Sequence, residues 1–245
     1  MIPFGGIVAL TLRQLLCLNL ATCFFVTITC HGQASSTSQF PSSIAALTAK
    51  AEAGDVEAQH QLAALYKHQQ NYNEAAVWYE KAAQQGNADS QYNLAIVYDY
   101  GYGRHRSSKD AAFWYRKAAE QGVEAAQFAL AMCLEFGKGV KRDESAAANW
   151  YEKAAIQGDG ASMGSLGAMY ETGRGVPKDN IIAYKWFLLS EKFDSFALPP
   201  SARVPNLRHN LMNSMTDAEV AEGEKLAASW IAQHPQLARL MKKDQ

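Results

Sequence analysis

The stretch WYEKAAQQG (78–86) returns as WYRKAAEQG (114–122) and WYEKAAIQG (150–158), and a decayed copy, WFLLSEKFD, follows at 186–194. Trp78, Trp114, Trp150 and Trp186 therefore stand 36 residues apart, and an alanine (Ala75, Ala111, Ala147, Ala183) precedes each by three. A fixed period of this length constrains the fold more than any other feature of the chain. Each unit is too small to bury its own apolar face and must bury it against the next, so the chain builds a quasi-one-dimensional stack. Such a stack offers an extended surface in place of a single deep pocket, and the search for function starts there.

Four units run 55–86, 87–122, 123–158 and 159–194, and each reads as two antiparallel helices. The first helix carries Leu62/Ala63/Tyr66, Leu94/Ala95/Tyr98, Leu130/Ala131/Leu134 and Leu166/Gly167/Tyr170. Residues four apart share a helical face, and the small residue beside them lets a neighbouring helix approach. Asp55, Asn87 and Asp159 are N-cap types at the starts of first helices, whereas the third unit has Val123 and lacks a cap. Second helices start after Asn71, Ser107, Asp143 and Asp179, seven residues before each tryptophan, and Asn71 with Glu74 has capping-box spacing. Gly86, Gly122 and Gly158 close them, at a position where glycine adopts the left-handed conformation most cheaply. Lys81, Lys117 and Lys153 fall in the last turn, where a cation offsets the helix dipole. GYG (101–103), GKGV (137–140) and GRGV (173–176) join the helices of a unit; the first unit has KHQQNYN instead and is four residues shorter. These loops are not phosphate cradles, because no strand precedes them.

The G-x-G-V loop, the A-x-x-W-x-x-K-A-A run and the L-G-x-x-Y-type helix resemble Sel-1-like repeats, relatives of the tetratricopeptide repeat. The tight NYNEAAVWYEKAA turn of the first unit looks closer to the tetratricopeptide form itself. The resemblance covers 55–194 and implies an all-α chain: a right-handed α-solenoid of about four helix-turn-helix repeats with capping helices at both ends. Residues 44–53 read as a short alanine-rich helix, so the solenoid is expected over 44–194 and a C-terminal helical cap over 195–245. Within that cap LPPSARVPN (198–206) is a turn-rich connection and a short helix falls near 206–214. Thr216 with Glu219 then opens a longer helix to Gln233, with Val220, Ala227, Trp230 and Ile231 on one face and Pro235 after its end.

Arg13 is the single charge in residues 1–34; the apolar run 15–29 follows it, and Gly32 and Ala34 stand at −3 and −1 of a cut after Ala34. This is the pattern of an export signal, the run of about 15 residues being short for a spanning helix. An uncleaved anchor, the one route to membrane contact, and lipid attachment at Cys23 or Cys30 are the other readings. The expectation is a signal peptide over 1–34, a polar linker over 35–43, and a protein periplasmic or secreted in a bacterial envelope. Removal of the signal takes Cys17, Cys23 and Cys30 with it and leaves Cys133, so packing and not a disulfide must hold the fold. Cys133 lies in an apolar helix pattern and reads as a core residue.

A formal net charge of −1 speaks against nucleic acid as the partner, which needs a basic stripe. The chain has no HExxH, CxxC, GxSxG or P-loop, and no catalytic residue, cofactor or metal site is expected. His60 and His68, eight apart, are too far apart to share a metal without further ligands. The expected partner is a protein or peptide. In the resembling superhelices first helices line the concave face. Carried over by register, that face holds His60, Ala64, Lys67 and His68, then Tyr92, Ile96, Asp99 and Tyr100, then Phe128, Met132, Glu135 and Phe136. The fourth unit adds Gly164, Ala168, Glu171 and Thr172. The groove of repeats 2 and 3 would bury a segment against its aromatic and methionine stripe, with Asp99, Glu135 and Glu171 setting charge preference. Tyr92 and Phe128 read equally as packing residues, whereas Tyr100 and Phe136, at helix ends, read as contacts. The loop residues Arg104, Arg106, Lys109, Lys138, Lys141, Arg142, Arg174 and Lys178 form either a positive edge or ordinary solvated loops. The tryptophans read as buried scaffold. An alternative class, a cell-wall or β-lactam-binding or -hydrolysing protein as described for cysteine-rich members of the resembling family, would require paired cysteines that this chain lacks. A purely structural spacer is a third reading.

Overall fold

The structure, a computed structural model, describes residues 39–193 and 205–240. The expected signal segment, residues 35–38 of the linker and most of the proline-rich connection lie outside the described residues. Helix α1 (Gln39–Glu52) precedes four hairpins: α2 (Val56–His68) with α3 (Tyr72–Gln84), α4 (Ala88–Tyr100) with α5 (Ser108–Glu120), α6 (Glu124–Phe136) with α7 (Glu144–Gln157), and α8 (Gly160–Thr172) with α9 (Asn180–Phe193). Then come α10 (Pro205–Met212), α11 (Asp217–Gln233) and α12 (Pro235–Leu240). From α2 to α9 each helix packs on its neighbours in the chain, and both α10 and α11 return to α9. This is the α-solenoid that the period demands.

Helix starts follow the caps. Asp55, Asn87 and Asp159 accept from the amides of Ala58, Ser90 and Ser162, and Asn71, Ser107 and Asp143 from those of Glu74, Asp110 and Ala146. Asp179 accepts from Ile181 and Ile182, Val123 makes no such bond, and Thr216 with Glu219 forms the full capping box. Prolines are where the sequence reading needs correction. Residues 39–43 are helix and not linker, because Pro41 lies in the first turn of α1, where a missing amide loses no hydrogen bond. By the same physics Pro205 opens α10, and Pro235 starts the unanticipated α12.

The core is built of small residues: Ala63, Ala95, Ala131 and Gly167 are buried on the first helices, and alanines such as Ala75, Ala111, Ala147 and Ala183 on the second. The tryptophan ladder is only partly core. Trp78 and Trp186 are buried, but Trp114 and Trp150 are half-buried. The residue after each tryptophan is the true anchor: Tyr79, Tyr115, Tyr151 and Phe187 are all buried. In three repeats a first-helix ring leans on that tyrosine, as His60–Tyr79, Tyr92–Tyr115 and Phe128–Tyr151, with centroids 5.9, 5.9 and 5.8 Å apart. Three of the four tryptophans carry a lysine over the ring, with Lys81 3.8 Å above Trp78, Lys153 3.9 Å above Trp150 and Lys185 4.0 Å above Trp186, whereas Lys117 lies over Phe113 beside Trp114. These lysines therefore act through the ring face as well as through any dipole effect.

Two devices lock successive repeats. Buried Gln59, Gln91 and Gln127 donate to the carbonyls of Ala51, Ala83 and Ala119 in the preceding element. They accept in turn from Gln85, Gln121 and Gln157 at 2.7, 2.8 and 2.8 Å. Secondly, the second glycine of each loop (Gly103, Gly139, Gly175) has positive φ and lies against the carbonyl of Tyr72, Ser108 or Glu144, the first residue of the preceding repeat's second helix. A Cβ there would overlap backbone, so glycine is required twice over. Gly139→Ala should cost about 3 kcal/mol or more in urea unfolding. Gly122→Ala, where φ is positive but space is open, should cost only about 1 kcal/mol.

Candidate binding clefts on the first helices

A cleft of about 390 Å³ lies between α4 and α6. It brings together seven of the nine residues expected to form a groove: Tyr92, Ile96, Asp99 and Tyr100 from α4, and Phe128, Met132 and Phe136 from α6. Tyr100 and Phe136 are each 63% exposed and Met132 40%. Tyr92 and Phe128 are half-buried, each tilted against a core tyrosine while lining the cleft, so the two readings of these rings are not exclusive. Buried Tyr115 and Cys133 also line the cleft, and burial, with Asp99 adding to it, pushes the Cys133 thiol up to about 11. At pH 8 only about one thiol in a thousand would then be thiolate. Cys133 should resist a disulfide reagent in the folded protein and react fully once urea unfolds it, as an absorbance assay would record.

The carboxylates are placed differently from the expectation. Glu135 is 6% exposed and is held by the Tyr151 hydroxyl, which donates at 2.8 Å, and by Arg174 at 3.0 Å. It is a structural residue and does not line the cleft. Glu171, half-buried on α8, is likewise no part of it. Asp99 does line it, but Lys138 Nζ sits 2.7 Å from Oδ1, a close ion pair lying off the axis of a good hydrogen bond. Asp99 and Glu135 are thus already met by cations from the loop of the following repeat.

The same contacts dismantle much of the positive edge. Arg104 pairs with Glu80 at 3.1 Å, Arg142 pairs with Glu144, and Arg106 donates to the Asp99 carbonyl at 2.9 Å. The missed signal was a double period: Asp99 and Glu135 recur at 36, and so do Lys138 and Arg174. Arg174→Met leaves Glu135 buried with one donor and should cost roughly 2 kcal/mol. Lys138→Met breaks a more exposed pair and should cost under about 1 kcal/mol; chemical denaturation of the two variants measures the difference.

A larger cleft, about 560 Å³, lies over repeats 1 and 2. All four residues of the first-unit column line it, namely His60, Ala64, Lys67 and His68, together with Tyr72, Tyr79, Asn93, Ile96 and Tyr102. Ile96 lines both clefts, so the two are contiguous along the first helices. His60 Nδ1 is hydrogen-bonded to Ser90 Oγ at 2.8 Å, and Lys67 donates to Asn93 Oδ1 at 3.1 Å. Tyr102 stacks on Tyr72 with centroids 5.0 Å apart and on Tyr100 at 5.5 Å. The sequence reading put the first-unit column on the same face but centred docking on repeats 2 and 3, and gave Tyr102 no role; the signal was a tyrosine where the other loops carry a cation. Among the described residues no group of His, Cys, Asp and Glu could hold a metal ion, and no helix is long and apolar enough to cross a membrane.

The Sel1 repeat profile matches residues 56–87, 88–123, 124–159 and 161–191, together more than half of the chain. The solved structure of c5321, a protective antigen present in uropathogenic Escherichia coli strains displaying an SLR fold, is similar with a TM-score of 0.71 and 33% identity, over 85% of this chain and 45% of that one. A Sel1 repeat protein from Oxalobacter formigenes is similar with a TM-score of 0.59 and 31% identity, over 62% of this chain and 64% of that one. This chain therefore spans less than half of the first protein and under two thirds of the second. No curated protein matches it. Period, loop glycines, hairpin order and these similarities agree: the chain belongs to the Sel1 repeat family, whose members are typically non-enzymatic and generally mediate protein–protein interaction.

Proposed function

We propose that this protein is an exported scaffold that docks a peptide or protein segment across the first helices of repeats 2 and 3. The observation that carries the reading is the pair Tyr100 and Phe136. These are equivalent residues of successive repeats, both 63% exposed, at a cleft already formed between their helices. Large rings left in water beside a concavity are the usual anchors of an interface. Met132, exposed between them, adapts its shape to what it covers.

Charge preference in this cleft falls to Glu124 and Asp159, since Asp99 is paired with Lys138. The Glu124 carboxyl is pushed up first by burial and then by the repulsion of Asp159, and a cation on the bound segment would relieve that repulsion. Export is supported by Arg13 and the apolar run after it. The description of the similar E. coli protein as a protective antigen is in keeping with it.

The test is affinity capture from an envelope extract by the purified protein, with Tyr100→Ala/Phe136→Ala alongside. The double variant should keep its helical circular dichroism and retain about a tenth or less of the captured partner. An identical set captured in equal amount by both proteins would sink the groove.

A further inference from the structure

Along the array a first-helix carboxylate meets a cation from the next repeat's G-x-G loop: Asp99 with Lys138 at 2.7 Å, then Glu135 with Arg174 at 3.0 Å. At the first junction both members are changed. Lys67 stands at the phase of Asp99 and Glu135, and Tyr102 at the phase of Lys138 and Arg174. The flanking positions change in the same sense, because His60 and His68 occupy the phases of Tyr92/Phe128 and Tyr100/Phe136. The 560 Å³ cleft is accordingly lined by Lys67, His60 and His68 and, among the described residues, by no carboxylate. Asn93 steadies the Lys67 ammonium at 3.1 Å with a neutral oxygen, which fixes its place and leaves its charge uncompensated. Tyr102, freed from ion pairing, stacks between Tyr72 and Tyr100 as an exposed three-ring wall.

We propose that this cleft binds an acidic peptide segment, whose side-chain carboxylates supply the anion that the first junction lacks and whose apolar side chains lie on the tyrosine wall. A side-chain source is favoured over a chain terminus by spacing. His60 and His68 are eight helical residues apart, about 12 Å along the axis, a span that three or four residues of extended chain cover. One terminal carboxylate serves only one end of it. The proposal rests on the reading that the first-helix face is the docking surface, and adds to it a second cleft with the opposite sign of charge.

The experiment is fluorescence anisotropy with the purified protein and three labelled decapeptides. The first alternates Glu with Phe and Gly and is amidated at its C-terminus, the second has Gln for every Glu, and the third is the Gln peptide with a free C-terminal carboxylate. The amidated Glu peptide should bind at least about tenfold tighter than either Gln peptide, and added salt should weaken it. Lys67→Glu should lower that affinity about tenfold or more with unchanged circular dichroism, and Lys67→Gln should fall between. Tyr102→Ala should weaken the Glu peptide, while Met132→Ala/Phe136→Ala, confined to the other cleft, should not. Equal binding of the Glu and Gln peptides, full affinity in Lys67→Glu, or preference for the free-carboxylate Gln peptide would each overturn the proposal. If Tyr100→Ala/Phe136→Ala still loses its captured partner in those cases, the groove of repeats 2 and 3 stands and only this cleft assignment falls. If neither capture nor peptide binding responds to any variant, both fall.

Discussion

The second glycine of each loop decides how near two repeats come. Gly103, Gly139 and Gly175 rest on the backbone carbonyls of Tyr72, Ser108 and Glu144, and nothing larger than hydrogen fits between. Backbone against backbone is a hard stop, unlike side-chain packing, which can give by rotamer change. The stop recurs at the same phase of every junction, so it sets a common step for the stack. The widths of both clefts follow from that step, because each lies between first helices of adjacent repeats.

The glutamine relay fixes what the glycines leave free. A buried amide must satisfy both its donor and its acceptor, and a slipped repeat would strand them in a low-dielectric core. Gln91 meets the Ala83 carbonyl and the Gln121 amide, and Gln127 meets the Ala119 carbonyl and the Gln157 amide. Register is thereby specified by polar groups in a core of alanines too small and alike to specify it alone. The relay ends in the fourth repeat, where buried Met163 takes the glutamine phase and Ser190 donates to the Gly160 carbonyl. There the interface changes character, and Trp186 meets Trp230 of α11 edge to face at 5.3 Å.

The architecture was legible because it is periodic. The number and order of the hairpins and nearly every cap within them follow from residues recurring at 36, and a cap needs only its own first turn to act. What was less legible depends on contacts across the period. The tryptophans catch the eye, yet Trp114 and Trp150 lie half-buried at the rim, Trp150 under Lys153 and Trp114 edge to face with Phe113, while the plainer Tyr115 and Tyr151 fill the core. Composition cannot tell these neighbours apart; only the direction of each Cβ on the helix does. Glu135 was read as a groove charge because it shares the first-helix face, but Tyr151 and Arg174 draw it inward. The prolines misled for a different reason. Pro41, Pro205 and Pro235 mark helix beginnings as readily as helix ends, and the sequence around them does not say which.

The first repeat is where the periodic logic is broken, and the break is chemical as well as geometric. Its inter-helix loop is four residues shorter and turns at Gln70 with φ of 60°, without the paired glycines of the others. Its acid-for-cation junction is replaced by a lysine and a tyrosine. A terminal repeat needs a polar outer face to keep the stack soluble, and that requirement explains charge on its far side. It does not explain an unpaired lysine and stacked rings on the side facing repeat 2, where every later junction neutralises itself. The ion pairs of Asp99 and Glu135 make the later junctions self-sufficient, whereas Lys67, at the same phase, meets only the neutral oxygen of Asn93 and keeps its charge for another molecule.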